Sequence, residues 1–179
     1  MPKYIAFLRA INVGGHTVKM DHLRHLFEIM GFGGVETFIA SGNVIFEADE
    51  KNTEALERQV EAGLQEALGY PVATFIRTSA ELAAVAQYQP FPEEAGEAAG
   101  HSLYIAFLAA PPGEAARQKL LAFTTAVDEF QLHGREVYWL CRKKMSESQF
   151  SGALLEKTLG QPATLRNSTT VKKMAAKYT

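Results

Sequence analysis

The sequence predicts an α+β fold made from one unit used twice. Three echoes in the same order carry that prediction. Tyr4-Ile5-Ala6-Phe7-Leu8-Arg9-Ala10 returns as Tyr104-Ile105-Ala106-Phe107-Leu108-Ala109-Ala110, identical at six of seven positions. Phe38 precedes Gly42 by four residues, as Phe130 precedes Gly134, and both glycines lie between apolar runs, as hairpin turns do. Pro71-Val72-Ala73-Thr74-Phe75-Ile76-Arg77 is echoed by Pro162-Ala163-Thr164-Leu165-Arg166. Each ends in Arg and then meets Ser/Thr residues that can cap a helix.

The elements follow in order. Residues 3–9 are rich in apolar and aromatic side chains and read as a strand. A glycine-containing loop runs to Val18. Met20, Leu23, Phe27 and Met30 have helical spacing and stop at Gly31. Strands are expected at 35–40 and 43–46, about a Ser41-Gly42 turn. Leu56, Val60, Leu64 and Ala67 mark a second helix, ended by Gly69 and Pro71. Residues 72–77 form a fourth strand, and Thr78-x-x-Glu81 is a capping box opening a short helix.

Residues 89–101 hold two prolines and an Ala/Gly/Glu-rich stretch with nothing to bury, and are read as a linker. The plan then repeats. A strand at 103–109 leads to a helix opening at Pro112. Strands near 127–132 and 135–141 flank Gly134, with Tyr138 and Trp139 packed in that hairpin. Ser146-x-x-Gln149 reads as a second capping box, with a helix to Leu159. A strand at 163–166 precedes a last helix, whose Val171, Met174, Ala175 and Tyr178 share one apolar face.

Two βαββαβ units, each followed by a helix, are the ferredoxin-like plan. The expected division is 1–88, a linker at 89–101, and 102–179. The first strand is apolar on both faces, so both are expected to be covered: one by helices, the other by the second half or a partner chain.

Composition excludes several classes. In 179 residues, 18 Lys+Arg stand against 20 Asp+Glu, a net charge of -2, which argues against an indiscriminate polyanion binder. A 47% apolar content supplies a core without disulfides or metals, and the single Cys141 fits a reducing cytoplasm. The N-terminal apolar stretch is interrupted by Arg9, unlike a signal peptide. The longest apolar run, Leu103–Ala110, is far short of the ~20 residues of a membrane span. The expectation is a cytoplasmic protein that does not enter membranes.

The predicted topology collects a candidate site. The loop after the first strand, the start of the first helix and the Ser41-Gly42-Asn43 turn share one end of the sheet. Arg9 can fork onto an anion. Gly14 and Gly15, after Asn12, let backbone N–H groups approach a ligand, and the helix start favours phosphate or carboxylate. Ser41 and Asn43 add a hydroxyl and an amide. The plainer account is an ordinary loop and hairpin turn. Neither a P-loop nor a dinucleotide fingerprint is present.

Charge is uneven. Residues 1–90 hold 7 basic and 11 acidic residues, a balance of -4, and residues 135–179 hold 9 and 3, a balance of +6. Lys172, Lys173 and Lys177 read as the solvated face of the last helix. Arg166-Asn167 differs, because it lies where a strand turns into a helix. Other chemistry is thin. His22 and His25 lie three apart but face away from the apolar stripe with no further ligand, so no metal site or cofactor is expected. Cys141 ends an apolar strand and reads as buried filler. No catalytic acid–base pair stands out, and the sequence leaves open whether the protein is an enzyme.

These residues resemble a bacterial family, the domain of unknown function 1697. The resemblance rests on Leu8-Arg9-Ala10-Ile11-Asn12-Val13-Gly14-Gly15, on Ser41-Gly42-Asn43-Val44-Ile45-Phe46, and on Thr164-Leu165-Arg166-Asn167-Ser168-Thr169-Thr170-Val171. They stand in the family's order across nearly the whole chain. Ser168 stands where the family commonly has an aromatic residue, and Ala40 where it often has Gln. The resemblance implies a duplicated α+β fold and no established activity. It favours Arg9, Asn12, Gly14, Gly15, Ser41, Gly42, Asn43, Arg166 and Asn167 acting together; with Thr170 these are the expected anion-binding residues.

Three functions compete. The first is binding of an anionic small molecule, a phosphate-containing metabolite or nucleotide. A nucleic-acid module ranks below it, because ferredoxin-like RNA binders need exposed aromatics on strands 1 and 3, and strand 3 here offers Phe46 beside Glu47. The third is a structural protein whose motifs satisfy backbone groups. A homo-oligomer is compatible with all three.

Overall fold

The computed structural model describes residues 1–9, 18–39, 42–92 and 101–179. These form two compact units, Met1–Ala84 with Met174–Thr179, and Val85–Lys173. The strands are β1 (Lys3–Leu8), β2 (Gly33–Thr37), β3 (Asn43–Glu47), β4 (Thr74–Thr78), β5 (Ser102–Leu108), β6 (Asp128–His133), β7 (Glu136–Cys141) and β8 (Ala163–Asn167). The helices are α1 (Met20–Ile29), α2 (Thr53–Leu68), α3 (Ser79–Gln87), α4 (Glu114–Leu121), α5 (Gly152–Leu159) and α6 (Ser168–Tyr178).

The duplication is present in the pairing. The sheets run β2-β3-β1-β4 and β6-β7-β5-β8, antiparallel throughout. Register matches as well: Ile5 opposes Arg77 and Ile105 opposes Arg166, while Phe7 opposes Asn43 and Phe107 opposes Glu136. The α+β, twice-used ferredoxin-like plan therefore holds.

In the first unit, Tyr4, Ala6, Leu8, Val44, Phe46 and Ile76 form a core with Leu23, Phe27, Leu56, Val60 and Leu64 of α1 and α2. Phe32 and Phe46 rings lie 4.6 Å apart. The opposite face is buried too, since Ile5 and Phe7 are 0% exposed. In the second unit, Trp139 is the hub, with Tyr104, Phe130 and Phe150 rings around it. Its indole Nε1–H donates to Asp128 Oδ1 at 2.8 Å, and Ser148 Oγ donates to Asp128 Oδ2 at 2.7 Å. That satisfies a buried carboxylate and ties β6, β7 and the segment before α5 together.

β4 is an edge strand, whose outward N–H groups would otherwise lack partners. Two carboxylates one turn apart on α2 accept them: Glu57 Oε2 from Ile76 N–H at 2.8 Å, and Glu61 Oε2 from Thr74 N–H at 3.3 Å. Helix ends follow local chemistry. Asn52 accepts from Glu54 and Ala55 N–H groups at the start of α2, and Gly69 ends it at φ 83°. The Thr78/Glu81 capping box closes in both directions, at 2.9 and 3.0 Å.

Four boundaries differ from the sequence reading. β2 lies at Gly33–Thr37 rather than 35–40, because the register shifts between Gly33 and Glu36 and Phe38 already belongs to the turn. α4 opens at Glu114 after Gly113 rather than at Pro112. Only a short 3-10 helix occupies Met145–Glu147, and α5 starts at Gly152, not at the predicted Ser146 box. The reason is that Ser148 is turned to Asp128 and to Phe150 N–H, leaving Ser151 to accept from Leu154 N–H as the cap. Finally, the start of the predicted linker does bury something, since Phe91 is half-buried and lines a cavity.

Candidate functional site

The first-unit half of the expected site sits where β1 ends. Leu8 N–H donates to Gly42 O at 2.9 Å, and Arg9 N–H donates to Ala73 O at 2.9 Å. Those bonds bring Arg9, exposed, and Gly42, at φ 82°, to one end of the sheet. Glycine suits that backbone, which a side chain would strain. Asn43 is 0% exposed and turns inward: its Nδ2 donates to Phe38 O at 2.8 Å, while Phe38 N–H donates to Asn43 O at 3.0 Å. The amide brackets the turn. Asn12, Gly14, Gly15 and Ser41 lie outside the described residues.

The second-unit half sits where β8 becomes α6. Arg166 is 7% exposed, and its Nη1 donates to Thr164 Oγ1 at 2.7 Å and to Leu165 O at 2.9 Å. Loss of hydration lowers this guanidinium to about 10. Asn167 Oδ1 accepts Thr169 N–H at 2.9 Å and so caps α6. Thr170 is half-buried in the first turn.

The remaining residues singled out by the sequence are placed as follows. His22 and His25 are exposed, and among the described residues no group of three His, Cys, Asp or Glu is placed to hold a metal. Cys141 is buried, its Sγ–H donates to Lys143 O at 3.0 Å, and burial pushes the thiol up, away from nucleophile chemistry. Tyr4, Phe7 and Phe46 on β1 and β3 are at most 2% exposed, so they offer no base-stacking platform. Among the described residues no helix is long and apolar enough to cross a membrane.

Two features escaped sequence reading. Arg77 is buried at 0% exposure, at the register position of Arg166. The echo ending in Arg was the available signal. The second is a cavity of about 430 Å³ in the second unit, between the 85–92 segment and residues of β5, β7 and α6. Ser168 and Lys172 line it. Nothing local in the sequence announces it, because its walls come from four separated segments.

Comparisons with known proteins place the chain. No curated protein matches it. Among solved structures it is similar to the conserved bacterial protein SP0830 from Streptococcus pneumoniae, with a TM-score of 0.72 at 18% identity, covering 99% of this chain and 98% of that one. At that identity the likeness is one of fold. The family model described as protein of unknown function (DUF1697) matches residues 1–138. With most of the chain inside that match, the protein belongs to the DUF1697 family.

Proposed function

We propose that the protein binds an anionic small molecule, a phosphate-containing metabolite or a nucleotide, where β1 ends. Arg9 carries the reading. It is exposed at the first residue beyond β1, next to Leu8, whose N–H is bonded to Gly42 O. A forked cation thus stands at the same end of the sheet as Gly42. Gly14, Gly15, Asn12 and Ser41 are the groups the reading adds, with Asn43 holding the turn from inside. In the second unit, Asn167 caps the start of α6 and Arg166 is bonded within β8. Nucleic acid ranks below a small anion, in keeping with the buried aromatics of β1 and β3.

Thermal-shift titration with inorganic phosphate, a sugar phosphate and a nucleoside monophosphate tests this. A ligand of the site raises the melting temperature in a concentration-dependent way, by about 2.7 kcal/mol of stability at 100 times Kd. Arg9→Ala removes that rise while leaving the unliganded protein folded. If no probe stabilises the wild type more than Arg9→Ala, the reading fails.

A further inference from the structure

The second-unit cavity holds a polar end and an apolar body. At its polar end is Ser168, the first residue of α6, 1% exposed. Its Oγ is buried with no hydrogen-bond partner among the described residues. A buried hydroxyl left unmatched is unfavourable, and a ligand acceptor would relieve it. Lys172 lies one helical turn further on, exposed, and lines the same cavity. The first turn of a helix adds a partial positive charge. No acidic side chain is among the described residues that line it. The rest of the wall includes Tyr88, Phe91, Leu103 and Ile105. A volume of about 430 Å³ falls in the range of small-molecule sites.

We infer that this cavity is a second ligand site, built for a small carboxylate with an aromatic body. The carboxylate accepts from Ser168 Oγ–H and pairs with the Lys172 ammonium, and the ring packs against Tyr88, Phe91 and Ile105. A compact lysine charge and one hydroxyl suit a single carboxylate, and the aromatic wall supplies the selection for a flat apolar body. The site is separate from the one proposed around Arg9.

The test uses 1-naphthylacetate as probe, the neutral 1-naphthylacetamide as its isostere, and inorganic phosphate as a head group without a body. Binding to the whole protein is measured by calorimetry and thermal shift. The acid is expected to bind at least about tenfold tighter than the amide. Lys172→Gln, an exposed position that leaves folding intact, brings the acid's affinity close to the amide's. Ser168→Ala weakens the acid severalfold, with its unliganded melting temperature showing that it folds. Arg9→Ala leaves acid binding unchanged, which separates this site from the other. Equal binding of acid and amide overturns the inference, as does acid binding insensitive to Lys172→Gln and Ser168→Ala. Phosphate stabilising as well as the acid would overturn the aromatic assignment, and absence of acid binding would overturn the site.

Discussion

The two sheets share strand order and register, yet they are finished differently at the hairpin and at the edge. In the first unit, Phe38 and Asn43 are joined by the Phe38 N–H bond to Asn43 O and by the buried Asn43 amide, which donates back to Phe38 O. In the second, His133 pairs with Glu136 directly, so Gly134 at φ 60° and Arg135 suffice. Partners of the residue before the turn differ as well. Phe38 meets Tyr178 edge-on at 6.0 Å, with Lys177 Nζ 5.9 Å above its ring, whereas His133 stacks on Tyr88 at 4.2 Å. At the edge, Glu57 and Glu61 accept β4 N–H groups. Counted back from Gly160 instead of Gly69, the same positions hold Ser148 and Gly152. A duplicated fold keeps its apolar faces and register, while turns and edges diverge, because burial fixes the first and only local hydrogen bonding fixes the second.

Substitutions can break this comparison. The largest expected effect is in the cores. Phe46→Ala, at 0% exposure against Tyr4, Phe27 and Phe32, should destabilise by about 3–5 kcal/mol in urea unfolding. Asp128→Ala probes the second core by a different route. It deletes little packing but leaves the Trp139 indole N–H buried without its acceptor, at about 1–3 kcal/mol, and should alter Trp139 fluorescence in the folded state. A loss below half a kcal/mol would remove Asp128 from that role.

Next comes the bracket. Asn43→Ala strands Phe38 O and should lower stability by about 1–3 kcal/mol. Gly134→Ala tests the short turn instead: a Cβ there meets only Glu136 Oε1 at 3.9 Å, so the loss is the backbone term alone, about 1 kcal/mol. If the two variants reverse in order, the longer turn is not held by its amide.

The smallest effect concerns Glu61. Burial raises its carboxyl above 4.5, and the bond from Thr74 N–H offsets that only in part. The folded state therefore holds this proton to higher pH than the unfolded chain. Its contribution is present below the unfolded value and is lost as pH rises through the raised folded one. Glu61→Gln should gain stability relative to wild type as pH rises from about 4 to 7. A difference independent of pH would assign the edge to Glu57 alone.

Much of this was legible in the residues. Strand and helix existence followed from period and glycine punctuation, and the Thr78-x-x-Glu81 box formed as its chemistry requires. At the equivalent Ser146 pattern no α-helix opens: α5 starts at Gly152, and Ser148 is taken by the buried Asp128 twenty residues upstream. Residue type marked Asn43, Arg166 and Asn167 as special without saying why. Asn43 turns inward to a carbonyl, Arg166 is engaged within its own strand, and Asn167 caps a helix.

The sequence by itself determined the repeat, the order of elements and the apolar face of each, since those depend on periodicities carried by adjacent residues. Tertiary structure alone decided which polar groups are buried and what they meet. Arg77 at 0% exposure, the carboxylates on the β4 edge and the unmatched Ser168 hydroxyl in its cavity all depend on segments far apart in the chain. The physical reason is that burial and hydrogen-bond partnership are properties of a packed neighbourhood, which no local spacing encodes.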